Sequence, residues 1–111
     1  MVAGRFLIAP LALAAVLLGA LAPAAQASDP QAGRSLAESW CANCHVIGEP
    51  GQQSVSDVAP TFHAIANRRE TTAEGLRTFL STPHADAMKG IVLPRLEIDD
   101  LVAYIMSLRE H

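Results

Sequence analysis

Cys41-Ala42-Asn43-Cys44-His45 concentrates most of the chemistry this chain can offer, and it holds both of its cysteines. Side chains three apart on a helical turn lie on one side of it, so the two thiols face the same way. The imidazole follows directly. C-x-x-C-H is the attachment pattern for c-type haem. Two thiols on adjacent turns reach the two vinyl groups on one haem edge, and the histidine sends a ring nitrogen to the iron. One motif then fixes the cofactor covalently and supplies its proximal ligand. Three other chemistries use C-x-x-C. A thiol–disulfide redox pair belongs to a βαβ setting, which this sequence lacks. Half a zinc site needs a second C-x-x-C or an H-x-x-x-H-type pair, and neither occurs. A disulfide between Cys41 and Cys44 would close a very short loop and restrain little chain. The motif predicts one covalent haem c with its iron.

The rest of the chain must hold that group. With 111 residues there is room for one small domain. Its larger aromatic side chains after the N-terminal segment are few: Trp40, Phe62, Phe79 and Tyr104. Small exported domains with modest cores need a staple, and a covalently held cofactor would serve. The N-terminus predicts export. Arg5 is followed by an apolar run from Phe6 to Ala22, broken by Pro10 and Gly19, and then by Ala25-Gln26-Ala27. This pattern is a secretory signal peptide over 1–27 with cleavage after Ala27. The rival reading is a retained membrane anchor, for which the run is short and carries a proline. Removing 1–27 takes away Arg5 and shifts the net charge from −3 to −4. An acidic domain lacks the Lys/Arg surface that nucleic acid attracts.

The elements that position the motif are helical. Asp29 before Pro30 predicts a capped helix start, with the helix running through Leu36 and Trp40 to the cysteines. A polar loop follows from Val46 to Ala59. Pro60 precedes a short helix around Phe62 to Asn67. Thr71-Thr72-Ala73-Glu74 reads as a capping box, giving a third helix over about Thr72 to Ser81 with an apolar face of Leu76, Phe79 and Leu80. Pro83 ends it. Residues 84–94 read as a loop. Ile98, Leu101, Val102, Ile105 and Leu108 recur at helical spacing, so the last helix covers about Arg95 to Arg109. The fold class expected is all-α: about four helices over 28–111 around the haem, without the regular packing of a four-helix bundle.

In these features the chain resembles the small single-haem class I cytochromes c of the bacterial periplasmic kind. Three stretches carry the resemblance: G-R-S-L-A-E-S-W-C-A-N-C-H, A-P-T-F, and M-K-G-I-V-L-P-R-L-E-I-D-D-L-V-A-Y-I-M-S-L. It spans Pro30 to Leu108. The resemblance implies that the first and last helices cross closely, at Gly33 and Ala37 against Leu101 and Tyr104. It implies a distal thioether ligand eleven residues before the first acid of the D-D-L run, a spacing that Met88 has to Asp99. The competitors by residue type are Met106, His63, His84 and His111. Of these His84 reads as a solvent-facing loop histidine, and His111 as a frayed terminus. The resemblance further implies that the carbonyl of Pro60 holds the proximal imidazole and that Phe62 packs on the haem. Trp40, Arg68 and Arg69 are candidates to meet the propionates. Two positions depart from the family: Lys89 stands where proline usually follows the methionine, and Pro94 where Ser or Thr usually opens the last helix.

A haem with both axial positions filled by His45 and Met88 leaves no open site for substrate. No nucleophile–base pair or carboxylate dyad accompanies it, so no enzymatic role is expected. The expected function is periplasmic electron transfer between redox proteins such as a dehydrogenase, an oxidase or another cytochrome, as a free carrier or as a subunit. A membrane would be a partner only if the signal peptide stays on as an anchor. The alternative is a ligand-binding, sensing or peroxidase-like haem with a labile sixth ligand. The export expectation is checked by N-terminal sequencing of the secreted protein, which should begin at Ser28; a start at Met1 refutes cleavage.

Overall fold

The computed structural model describes residues 27–49 and 58–111, with isolated positions before residue 27. Most of the expected signal peptide, and the stretch 50–57 of the polar loop, lie outside the described residues. The elements are α1 (Pro30–Trp40), α2 (Phe62–Asn67), α3 (Ala73–Leu80), a 3-10 turn (Asp86–Met88) and α4 (Arg95–Ser107). The described residues contain no strand. The fold is all-α, as the apolar spacing implies. No helix among the described residues is long and apolar enough to cross a membrane.

Asp29 starts α1. Its side chain accepts from the Gln31 N–H at 2.9 Å, while Pro30 occupies a first-turn position where no N–H is needed. The Asp29 N–H in turn donates to the Asp100 carboxylate at 2.7 Å. That bond ties the beginning of α1 to α4, which α1, α2 and α3 all pack against.

The closest approach is at Gly33, which is buried against the backbone of α4. A Cβ placed there would overlap the Asp100 carbonyl and come within 2.9 Å of the Leu101 nitrogen. Only a hydrogen side chain lets the two backbones meet. One turn on, Ala37 is fully buried in the same seam. From α4 the core receives Ile98, Leu101, Val102, Tyr104 and Ile105, and Leu108 follows just beyond the helix. Ala37, Phe62, Ala66, Leu101, Tyr104, Ile105 and Leu108 form one contiguous cluster. Burying each large aliphatic side chain there contributes about 1.5–3 kcal/mol.

The helix ends depart from expectation in two places. Thr72, not Thr71, caps α3: its hydroxyl accepts from the Gly75 N–H at 3.0 Å, so Glu74 falls one position too early to close a capping box. Leu76 and Leu80, four apart, pack against the core, but Phe79 stays 54% exposed. It sits on the flank of the helix, off the line that faces α4. At α4, Pro94 provides no side-chain cap, and only its carbonyl enters the helix, accepting from Ile98 N–H at 3.0 Å.

The C-terminal residues close the fold. The Arg109 guanidinium donates to the carbonyls of Ala66, Arg68 and Thr71, each at 2.9 Å. It thereby satisfies carbonyls at and beyond the end of α2, which lack helical partners. Asn67 adds two bonds to the same end, donating to the Leu108 carbonyl at 3.2 Å and accepting from the Glu110 N–H at 2.8 Å.

Replacing Gly33 with alanine should force α1 and α4 apart. The expected cost is about 1–3 kcal/mol, read as a fall in Tm of about 4–8 °C per kcal/mol in domains of roughly 60–100 residues. An unchanged Tm refutes the close crossing.

Candidate functional site

The motif begins where α1 stops. Cys41 is the C-cap, its N–H bonded to the Ala37 carbonyl at 2.9 Å. The chain then continues as a tight turn, with Cys44 and His45 N–H both donating to the Cys41 carbonyl, at 3.1 and 2.9 Å. This turn sets the two cysteines one turn apart, both half-buried and both free thiols.

A second segment is laced onto the turn. Ala59 N–H donates to the Cys44 carbonyl at 3.0 Å, and Phe62 N–H to the Val46 carbonyl at 2.9 Å. Between these two bonds stands Pro60, and its carbonyl accepts from His45 Nδ1 at 2.5 Å. That bond fixes the imidazole tautomer with the proton on Nδ1, leaving Nε2 as the bare nitrogen able to bind a metal. Directly after, Thr61 caps α2 through its hydroxyl, which accepts from Ala64 N–H at 3.0 Å. The first residue of α2 is Phe62, 3% exposed, with its ring 5.2 Å from the His45 ring and 6.4 Å from Tyr104.

The sequence reading did not foresee what Tyr104 does here. Its hydroxyl donates to the Ile47 carbonyl at 2.6 Å and so ties the chain just after the motif to α4. Burial pushes the Tyr104 pKa up, which keeps this donor protonated. No sequence pattern marks the bond, because its acceptor is a backbone carbonyl.

The remaining candidates fall in different places. Met88 is half-buried at the end of the 3-10 turn, in the segment between α3 and α4. The ring this segment sets beside His45 is that of His84, 6.2 Å away between centres. His84 is exposed, as a loop histidine should be, yet its ring also stacks at 4.7 Å on Phe79. This contact gives the exposed Phe79 its partner. Desolvation, with His45 adding to it, holds the His84 pKa below its usual value, which favours neutral imidazole. His63 turns away from the motif to Glu110, at 3.0 Å. Met106 is half-buried on α4, and His111 is exposed. Trp40 is 51% exposed at the end of α1; Arg68 and Arg69 are exposed beyond α2.

Burial, and to a lesser extent Cys44, push the Cys41 thiol up to about 11. A reactive redox cysteine needs a lowered pKa, so Cys41 is not built for thiol exchange. Among the described residues no three His, Cys, Asp or Glu side chains gather as a metal site. The donor set therefore fits a metal whose in-plane ligands come from a macrocycle: one oriented imidazole, with two thiols beside it for covalent attachment.

An all-helical chain that ends its first helix on C-x-x-C-H and aims the histidine in this way has the makeup of a c-type cytochrome. No family model and no solved structure matches the chain. Cytochrome c-552 of Bradyrhizobium diazoefficiens is 42% identical to it over 85 residues, 77% of this chain and 80% of the relative. The chain belongs to the small class I c-type cytochromes. It carries covalently bound haem c with its iron, and it transfers electrons between redox proteins.

Replacing Tyr104 with phenylalanine removes the bond to Ile47 and leaves that carbonyl short of a donor. A loss of about 0.5–1.5 kcal/mol is expected, seen as a lower Tm with helix content unchanged by circular dichroism.

Proposed function

We propose that this cytochrome is exported, loses residues 1–27, and works in the periplasm as a single-haem electron carrier in which His45 and Met88 would hold the haem iron. Supporting the ligand assignment above all is the bond from His45 Nδ1 to the Pro60 carbonyl at 2.5 Å. A histidine oriented through one nitrogen and bare at the other is arranged as a ligand.

Each side chain has its part. Cys41 and Cys44 hold the haem edge by thioether bonds. His45 offers Nε2 to the iron, and Pro60 keeps its tautomer and ring angle. Phe62 packs against the imidazole and keeps water from that side. Met88 would give the iron a second, thioether ligand, of the kind that raises the potential of cytochromes c. The haem, when bound, supplies a one-electron iron couple. With His45 and Met88 both holding the iron, the chain itself would leave no place for a substrate, which favours an electron carrier over an enzyme.

The partners are redox proteins of the dehydrogenase, oxidase or cytochrome kind. Such carriers dock through small, transient interfaces. The net charge of −3, or −4 without Arg5, suits a partner with a positive docking patch.

A spectroscopic redox titration of the exported holoprotein tests the assignment. The expected result is a single high-potential transition with a far-red sulfur–iron band in the oxidised form. Met88→Ala should lose that band and lower the potential. A band retained in Met88→Ala refutes Met88 as ligand.

A further inference from the structure

The segment that carries Met88 also carries a second ligand-forming side chain, and it is that side chain whose ring stands beside His45. The His45 and His84 ring centres are 6.2 Å apart. Imidazole nitrogens bind such metals at about 2.0–2.1 Å. With each ring centre about 1 Å beyond its nitrogen, two imidazoles that held one metal between them would stand roughly 6 Å apart. The observed separation, with the ring planes at 57°, is of the size that leaves room for one metal between the two rings. Phe79 backs the His84 ring at 4.7 Å and holds it in this place. Among the described residues no polar side chain hydrogen-bonds to it, whereas His63 is engaged by Glu110.

The segment is also held together mainly by bonds within itself. Its backbone bonds are all local: Met88 N–H to Ala85, Lys89 N–H to Asp86 and Ile91 N–H to Met88. Its one ion pair, Lys89 to Asp86 at 3.0 Å, lies within it on exposed side chains and stabilises little. Gly90 follows with a φ of +89°, a conformation other residues rarely adopt. Among the described residues no hydrogen bond or ion pair joins this stretch to a helix, and its ring contact with α3 is that of His84 with Phe79.

We propose that His84 is a reserve distal ligand: when the Met88 thioether is lost or displaced, the His84 imidazole binds the iron opposite His45 and keeps it closed to small ligands. This rests on the His45/Met88 reading given above. One iron–sulfur bond gives way to one iron–nitrogen bond. A neutral ligand replaces a neutral ligand, so no proton or electron is transferred.

The test compares four purified holoproteins, wild type, Met88→Ala, His84→Ala and Met88→Ala/His84→Ala, by absorption and electron paramagnetic resonance. Carbon monoxide binding to the reduced forms is a second readout. Haem content and circular dichroism establish that each is loaded and folded. Wild type and His84→Ala should show the sulfur–iron band. Met88→Ala should lose it yet stay low-spin with two nitrogen ligands and resist carbon monoxide. The double variant should turn high-spin and bind carbon monoxide readily. If Met88→Ala is already high-spin and binds carbon monoxide as well as the double variant, His84 is no reserve ligand, while the lost band leaves Met88 in place. If the double variant stays low-spin, another side chain such as Lys89 fills the position, and the proposal is overturned. If wild type lacks the sulfur band and His84→Ala alone turns high-spin, His84 is the resident ligand. The Met88 reading and the reserve role then fail together.

Discussion

Backbone contact between α1 and α4 at Gly33 is the constraint from which the rest of the structure follows. The buried glycine brings α1 against the Asp100 carbonyl, a distance no other side chain permits. That approach fixes where α1 lies on α4. The turn of Cys41 to His45 continues directly from α1, and the same crossing brings Tyr104 of α4 within reach of Ile47. The Asp29–Asp100 bond holds the far end of the contact. Seen this way, the attachment motif is oriented by a helix pair whose closest point lies two turns away from it.

The second layer of order is backbone-made. Two main-chain bonds lay residues 59–62 along residues 44–46, and the carbonyl aimed at His45 comes from the proline between them. Proline has no N–H of its own to satisfy and a fixed φ, so its carbonyl direction is set by the chain rather than negotiated with solvent. Phe62 then arrives beside the imidazole because it is the first residue of the helix that this segment starts. Imidazole orientation, aromatic cover and helix start are one continuous piece of chain.

What could be read in the sequence was whatever repeats or caps. The apolar spacing of Ile98, Leu101, Val102, Ile105 and Leu108 placed α4 almost to the residue. Asp29-Pro30 placed the start of α1, while the close approach at Gly33 came from the family resemblance alone. Where the reading missed, the deciding partner was off the helical pattern. Two adjacent threonines compete to cap α3, and the pattern chose the wrong one. Phe79 looked like core by spacing, but it stacks on a loop histidine. Arg109 entered only as the expected end of the last helix, because nothing in the pattern marks its three main-chain acceptors. The course of the segment from His84 to Leu93 has no periodicity to read, so the nearness of His84 to His45 could not be foreseen.

The place of α4 in the chain has a consequence in time. Every other helix packs on the last one, and the bond that ties the two ends of the helical region together joins residues 71 apart. Such long-range closure is slow to form. Synthesis runs from the N-terminus, so Cys41, Cys44 and His45 exist as chain well before the helix that will bury their surroundings. Until α4 is in place, the turn of Cys41 to His45 lacks the Tyr104 bond and the buried surroundings that α4 brings to it.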